Sequence, residues 1–123
     1  MLELLISLQI ALKNLSIILD AYAKYETPEE IIMATTTAYT DIETCKGKCI
    51  NAIGKESQIS DVACPRKIKL GTRIEIDGIT YFCNDRTNIR HDGIYDIFMG
   101  YGTSSYQQAI NYGIQKKEIR IYD

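Results

Sequence analysis

The sequence predicts a mainly β domain, a small β-barrel, preceded by one amphipathic α-helix. Three observations predict it. Short strand-like runs follow one another closely after residue 60, with Asp77-Gly78 as a hairpin turn signal between two of them. The stretch Ile32-Met33-Ala34-Thr35-Thr36-Thr37-Ala38-Tyr39-Thr40 is rich in β-branched residues. Residues 1–25 instead carry a helical period.

In chain order, Met1, Leu5, Leu8, Leu12, Leu15, Leu19 and Tyr22 follow the alternating four-and-three spacing of a heptad seam. Leu4, Ala11 and Ile18 widen that stripe, and Lys13, Asn14 and Asp20 lie off it. Such a face must be covered, by a second copy in a coiled-coil homodimer or by the barrel itself. Thr27-Pro28-Glu29-Glu30 carries a helix cap and start, so a short helical turn is expected as the linker. The domain division is therefore 1–30, helix and linker, and 31–123, barrel.

Residues 41–60 have little periodicity and read as a long loop, which in a compact domain is usually functional. Arg73 to Ile76 and Ile79 to Cys83 read as the two arms of a hairpin, and Tyr95 to Phe98 as a further strand. Ser104 to Tyr112 reads as a helix with Tyr106, Ala109 and Ile110 on one side and Gly113 as its stop. Glu118 to Tyr122 is the last strand.

Composition narrows the function. The chain has 123 residues, is 46% hydrophobic and carries a net charge of −2, with a pI near 5.4. Nucleic acid is excluded as the main partner, because phosphate binding needs a basic surface. No membrane span is expected, since Ser7 and Gln9 interrupt the first apolar run, and no signal peptide, since Glu3 precedes that run without a basic segment. The four cysteines are Cys45, Cys49, Cys64 and Cys83. Their spacing suits no zinc site and His91 is the only histidine, so disulfides and free thiols stay open as alternatives. No metal or cofactor is expected. A nucleophilic pairing of His91 with Cys64 or Cys83 lacks a residue to orient the imidazole.

Asp85 and Asp96 stand eleven residues apart, each beside a strand-like run. A carboxylate at the end of an apolar strand is a rigidly held acid–base group. Read alone, Asp85 is also a turn residue in Asn84-Asp85-Arg86-Thr87, and Asp92 a solvated loop residue.

The order of motifs resembles the three-aspartate domain, related to the catalytic barrel of lytic transglycosylase A and to the stationary-phase survival muralytic proteins of Gram-positive bacteria. The residues that carry the resemblance are Thr37-Ala38-Tyr39-Thr40, then Val62-Ala63-Cys64-Pro65 followed by Ile68 and Leu70-Gly71-Thr72. Asp85-Arg86, Gly93-Ile94-Tyr95-Asp96-Ile97-Phe98, Ala109, Tyr112-Gly113 and the final strand complete it. The match covers residues 33–123, and the N-terminal helix lies outside it.

The resemblance implies a six-stranded double-psi β-barrel and cleavage of the peptidoglycan glycan strand between its two alternating sugars. It implies Asp96 as the acid that reverses its role and Asp85 as the group that stabilises charge or positions the sugar. Tyr39, Thr40 and Thr72 are the implied sugar-binding residues. Cys64 replaces the first of the three aspartates. On strand geometry it should face the same cleft as Asp85 and Asp96, with Cys83 close enough to bond to it. An enzyme of this kind without a signal peptide would be phage-encoded, carried in a virion or released by lysis. The alternatives are a non-catalytic wall-binding or phage structural module and a hydrolase of another polysaccharide.

Overall fold

The computed structural model describes residues 2–122, and of residues 20–26 its backbone alone. Met1 of the heptad seam lies outside the described residues, as does the Tyr22 side chain. Helix α1 (Leu2–Glu26) is followed by strand β1 (Glu30–Tyr39) and the short helix α2 (Asp41–Thr44). Then come β2 (Asp61–Cys64), β3 (Arg73–Ile76), β4 (Ile79–Arg86), a 3-10 turn at Ile89–His91, and β5 (Tyr95–Phe98). Helix α3 (Gly102–Tyr112) and β6 (Gln115–Tyr122) complete the chain.

The six strands close a mixed barrel in the order β1-β5-β2-β4-β3-β6. Two neighbouring pairs are parallel, β1 with β5 and β2 with β4, and the others are antiparallel. Closure leaves no exposed edge. Alternation along the strands fills the interior with Val62, Ile74, Ile76, Tyr95, Ile97 and Ile119, each at most 2% exposed. Burying such a side chain stabilises by roughly 1.5–3 kcal/mol.

The β3–β4 hairpin turns on Asp77 and Gly78, both at positive φ (53° and 75°), as the Asp-Gly signal requires. Gly113 ends α3 at φ 65°. In α3, Ala109 is buried but Ile110 is 53% exposed, so the apolar side of this helix is narrower than its sequence suggests. The cap-and-start signal at Thr27-Pro28 nucleates no helix. Glu29 N–H donates instead to the Ile121 carbonyl (2.8 Å), and β1 begins at once against β6. Local capping preference yields there to a ladder of pairings from Glu30–Ile121 to Thr36–Gln115.

Helix α1 departs from the sequence reading more sharply. Every Leu and Ile from Leu2 to Leu19 is 48–74% exposed, so the stripe is not docked on the barrel. The stretch Leu2–Leu19 is one helix long and apolar enough to cross a membrane by length and composition. Ser7 and Gln9 sit inside that stretch without taking it below this criterion of length and composition. In a continuous helix the backbone satisfies itself, and isolated neutral polar side chains do not interrupt a span.

Candidate functional site

A row of four side chains crosses the outer face of three ladders. Thr37 of β1 pairs with Asp96 of β5, Asp96 with Ala63 of β2, and Ala63 with Asp85 of β4. Registered neighbours project to one side of a sheet. All four line a single cleft of about 550 Å³, together with Tyr39 and His91. Two inter-strand spacings put the Asp85 and Asp96 backbones roughly 10 Å apart. Ala63 lies between them, and its small side chain leaves the floor open.

A bulge is what brings Asp85 onto this face. Between the pairs Asp61–Phe82 and Ala63–Asp85, β2 advances two residues and β4 three. The extra residue reverses the alternation of β4. Cys83 therefore points into the barrel core at 0% exposure while Asp85, two residues later, lines the cleft. At the bulge the Asn84 carbonyl accepts from Ala52 N–H (3.0 Å), a loop residue.

Each aspartate is held differently. Thr37 Oγ1 donates to Asp96 Oδ1 at 2.8 Å, and Oδ2 has no hydrogen-bond partner among the described residues. Burial raises the Asp96 carboxyl from its ordinary value to about 6. The Thr37 bond opposes that shift, and the charges of Glu43 and Asp85 add to it. Asp85 accepts on both oxygens, from Tyr39 Oη at 2.8 Å and from Arg86 N–H at 3.0 Å. Burial, then the charge of Asp85, holds the Tyr39 phenol far above its ordinary value, so it remains a neutral donor. Its ring packs tilted at 54° against Phe98, centroids 5.2 Å apart.

The residues 41–60 roof the cleft and are not free chain. Thr40 caps α2 in a capping box with Glu43: Ile42 N–H donates to Thr40 Oγ1 (3.2 Å) and Thr40 N–H to Glu43 Oε1 (3.0 Å). A disulfide joins Cys45 to Cys49, with Cα atoms 5.4 Å apart, and both residues line the cleft. Asp61, 2% exposed, fastens the loop. Its carboxylate accepts from Asn51 Nδ2 (3.0 Å), Gln58 N–H (3.0 Å) and Asn84 Nδ2 (2.9 Å).

Of the residues expected at the site, Asp85, Asp96 and Tyr39 come together. Thr40 does not line the cleft, because its hydroxyl is consumed as the α2 cap at 0% exposure. Thr72 does not line it either; it precedes β3, where its carbonyl accepts from Cys83 N–H (2.8 Å). Cys64 and Cys83 are joined by a disulfide with Cα atoms 5.5 Å apart, but the bridge lies in the barrel core. The expectation that both face the cleft fails for two reasons: Cys64 follows Ala63, which lines the cleft, and so alternates inward, and the period of two from Asp85 back to Cys83 cannot be carried across the residue inserted in β4. Nor is a thiol available beside His91, since no cysteine among the described residues is free. Asp92 ties two loops together, accepting from Arg66 N–H at 2.9 Å. Thr37 was missed by sequence reasoning. Its signal was the alternation of β1, which puts residues 37 and 39 on one face. No family model matches this chain, and no curated protein matches it.

Proposed function

We propose that the barrel is a double-psi barrel of the three-aspartate type and that it cleaves the peptidoglycan glycan strand as a lytic transglycosylase. One observation carries the reading. Asp96 is a carboxyl held at about 6 in an open cleft, with one oxygen fixed by Thr37 and the other unengaged, opposite Asp85. A carboxyl tuned to that range can give a proton and take one back near neutral pH.

The chemistry needs one such group. Protonated Asp96 gives its proton to the glycosidic oxygen as the bond to the muramyl C1 breaks. The C6 hydroxyl of the same sugar then attacks C1, and the Asp96 carboxylate takes the hydroxyl proton. The 1,6-anhydro ring closes, water is not consumed, and Asp96 ends protonated as it began. Positive charge builds on C1 and the ring oxygen in the transition state, and the Asp85 carboxylate, held by Tyr39 and Arg86 N–H, opposes it. A catalytic domain of 31–123 that functions without residues 1–30 accords with a cleft lined by the strands and the loops between them and by no residue of α1.

The second reading is a non-catalytic wall-binding or phage structural module, favoured by Cys64 standing where the family pattern has its first acid. The inward direction of that side chain weakens it, because in this barrel an acid at position 64 would not reach the cleft. The deciding experiment is digestion of purified cell walls with the protein and with Asp96→Asn. Release of 1,6-anhydro-muropeptides by the first alone is the expected result. Reducing-end products without the anhydro ring would mean a hydrolase. Binding without any cleavage would mean the second reading.

A further inference from the structure

We propose that α1 crosses a lipid bilayer, so that the barrel stands at the membrane surface on the oxidising side. The argument begins with which faces of α1 are apolar. The seam of Leu5, Leu8, Leu12, Leu15 and Leu19 is the face a second copy would cover. Ile6, Ile10 and Ile17 lie on the other side, within about 40° of the direction opposite that seam at roughly 100° per residue. In a two-stranded coiled coil those three positions face water. They are 48%, 56% and 59% exposed here, and the barrel covers none of them. A helix apolar on opposite faces suits surroundings that are apolar on every side. A bilayer supplies that, and a dimer does not.

Length agrees. The apolar stretch Leu2–Leu19 has 18 residues, about 27 Å at 1.5 Å each, within the range of about 17–25 residues that spans a hydrocarbon core of roughly 30 Å. Within Leu2–Leu19 the charged residues are Glu3, at the end, and Lys13. Lys13 near the centre costs about 2.5–3.5 kcal/mol, and each Leu or Ile contributes about −0.3 to −0.6, so the Leu and Ile of the stretch together offset a cost of that size. Gln9, Lys13 and Ser16 follow a spacing of four and three and share one side of the helix, while Glu3, Ser7 and Asn14 lie on another, with Ile6, Ile10 and Ile17 between the two groups.

The two disulfides set the side. Cys45–Cys49 and Cys64–Cys83 belong to the barrel and its roof, and such bonds persist in oxidising compartments. Residues 27–29 alone separate α1 from β1. At up to 3.6 Å per residue they reach roughly 10 Å, and the part of α1 after Leu19 adds about as much at 1.5 Å per residue, so the barrel stands within roughly 20 Å of the apolar stretch. Nothing here depends on whether the barrel cleaves glycan.

The test uses the full chain with vesicles of phosphatidylethanolamine and phosphatidylglycerol. The protein should float with the vesicles and resist alkaline carbonate. A variant carrying Ile6→Gln, Ile10→Gln and Ile17→Gln, its leucine seam intact, should lose at least tenfold in the floated fraction while the near-ultraviolet tyrosine signal of the barrel is unchanged. Three results would overturn the proposal: a soluble dimer that ignores vesicles, flotation of the triple variant equal to the parent, or a cell-produced protein whose N-terminus lies beyond Leu19. The last would make α1 a segment removed in transit.

Discussion

Asp96 is costly to the fold in the state that ends its turn as acid. Its protonated form is favoured on folding because burial penalises the charge. The corresponding stabilisation is fully present below the ordinary carboxylate value and is lost as pH rises through about 6. Asp96→Asn removes the charge and keeps the shape. It should abolish cleavage yet raise stability at pH 7–8 by roughly 1–3 kcal/mol, read by urea unfolding. The lower end suits a carboxyl that partly faces the solvent of the cleft. If Asp96 must start protonated, kcat/KM on soluble glycan strands should fall on the alkaline side with an apparent pKa near 6. A rate that rises through that range would instead give the first step to a base. Tyr95 is the opposite case. Its hydroxyl is buried without a hydrogen-bond partner, and burial pushes it up to about 12. An unsatisfied buried hydroxyl costs about 1–3 kcal/mol. Tyr95→Phe should therefore raise the melting temperature by a few degrees, measured calorimetrically, with cleavage unchanged.

The strands were legible in the sequence wherever alternation and a turn signal coincided. Arg73 to Ile76, Asp77-Gly78 and the return from Ile79 are the clearest instance. The β4 bulge left no such mark. The sequence ends the return strand at Cys83 and reads Asn84-Asp85 as the start of a bend, whereas β4 runs on to Arg86, and only pairing with β2 reveals the extra residue. The prediction that Cys64 and Cys83 meet thus succeeds on distance and fails on location. Asp85 and Asp96 reach one cleft because the same bulge turns Asp85 outward. The roof was equally opaque, since Asn51, Gln58, Asp61 and Asn84 converge only in three dimensions. One consequence concerns the bridge. It spans 19 positions and ties β2 to β4 beside the bulge. By loop-closure entropy it is worth about 3 kcal/mol. The paired variant Cys64→Ala with Cys83→Ala should lose roughly that much in urea unfolding. It should also lose cleavage disproportionately, because the register that aims Asp85 is no longer braced. Equal activity in the two proteins would show that hydrogen bonding at Asn84 and Tyr39 holds the bulge unaided.

The molecule joins two parts whose stabilities come from different sources. The barrel is closed, disulfide-braced and filled from its own strands, and its interior needs nothing from α1. Helix α1 has its backbone hydrogen bonds and no burial of its Leu and Ile side chains. In water a helix of that length without tertiary packing is marginal, because each turn must offset chain entropy from propensity alone. Amide exchange in vesicle-free buffer should therefore divide the chain. Residues 2–19 should exchange within seconds, while β2, β4 and β5 should open only with global unfolding. Adding phosphatidylethanolamine–phosphatidylglycerol vesicles should slow exchange in residues 2–19 by orders of magnitude and leave the barrel strands as they were. Slow exchange of α1 in buffer alone would locate its partner in solution, on the barrel or on a second chain. Unchanged fast exchange with vesicles present would mean that the bilayer is not where its two apolar faces are buried.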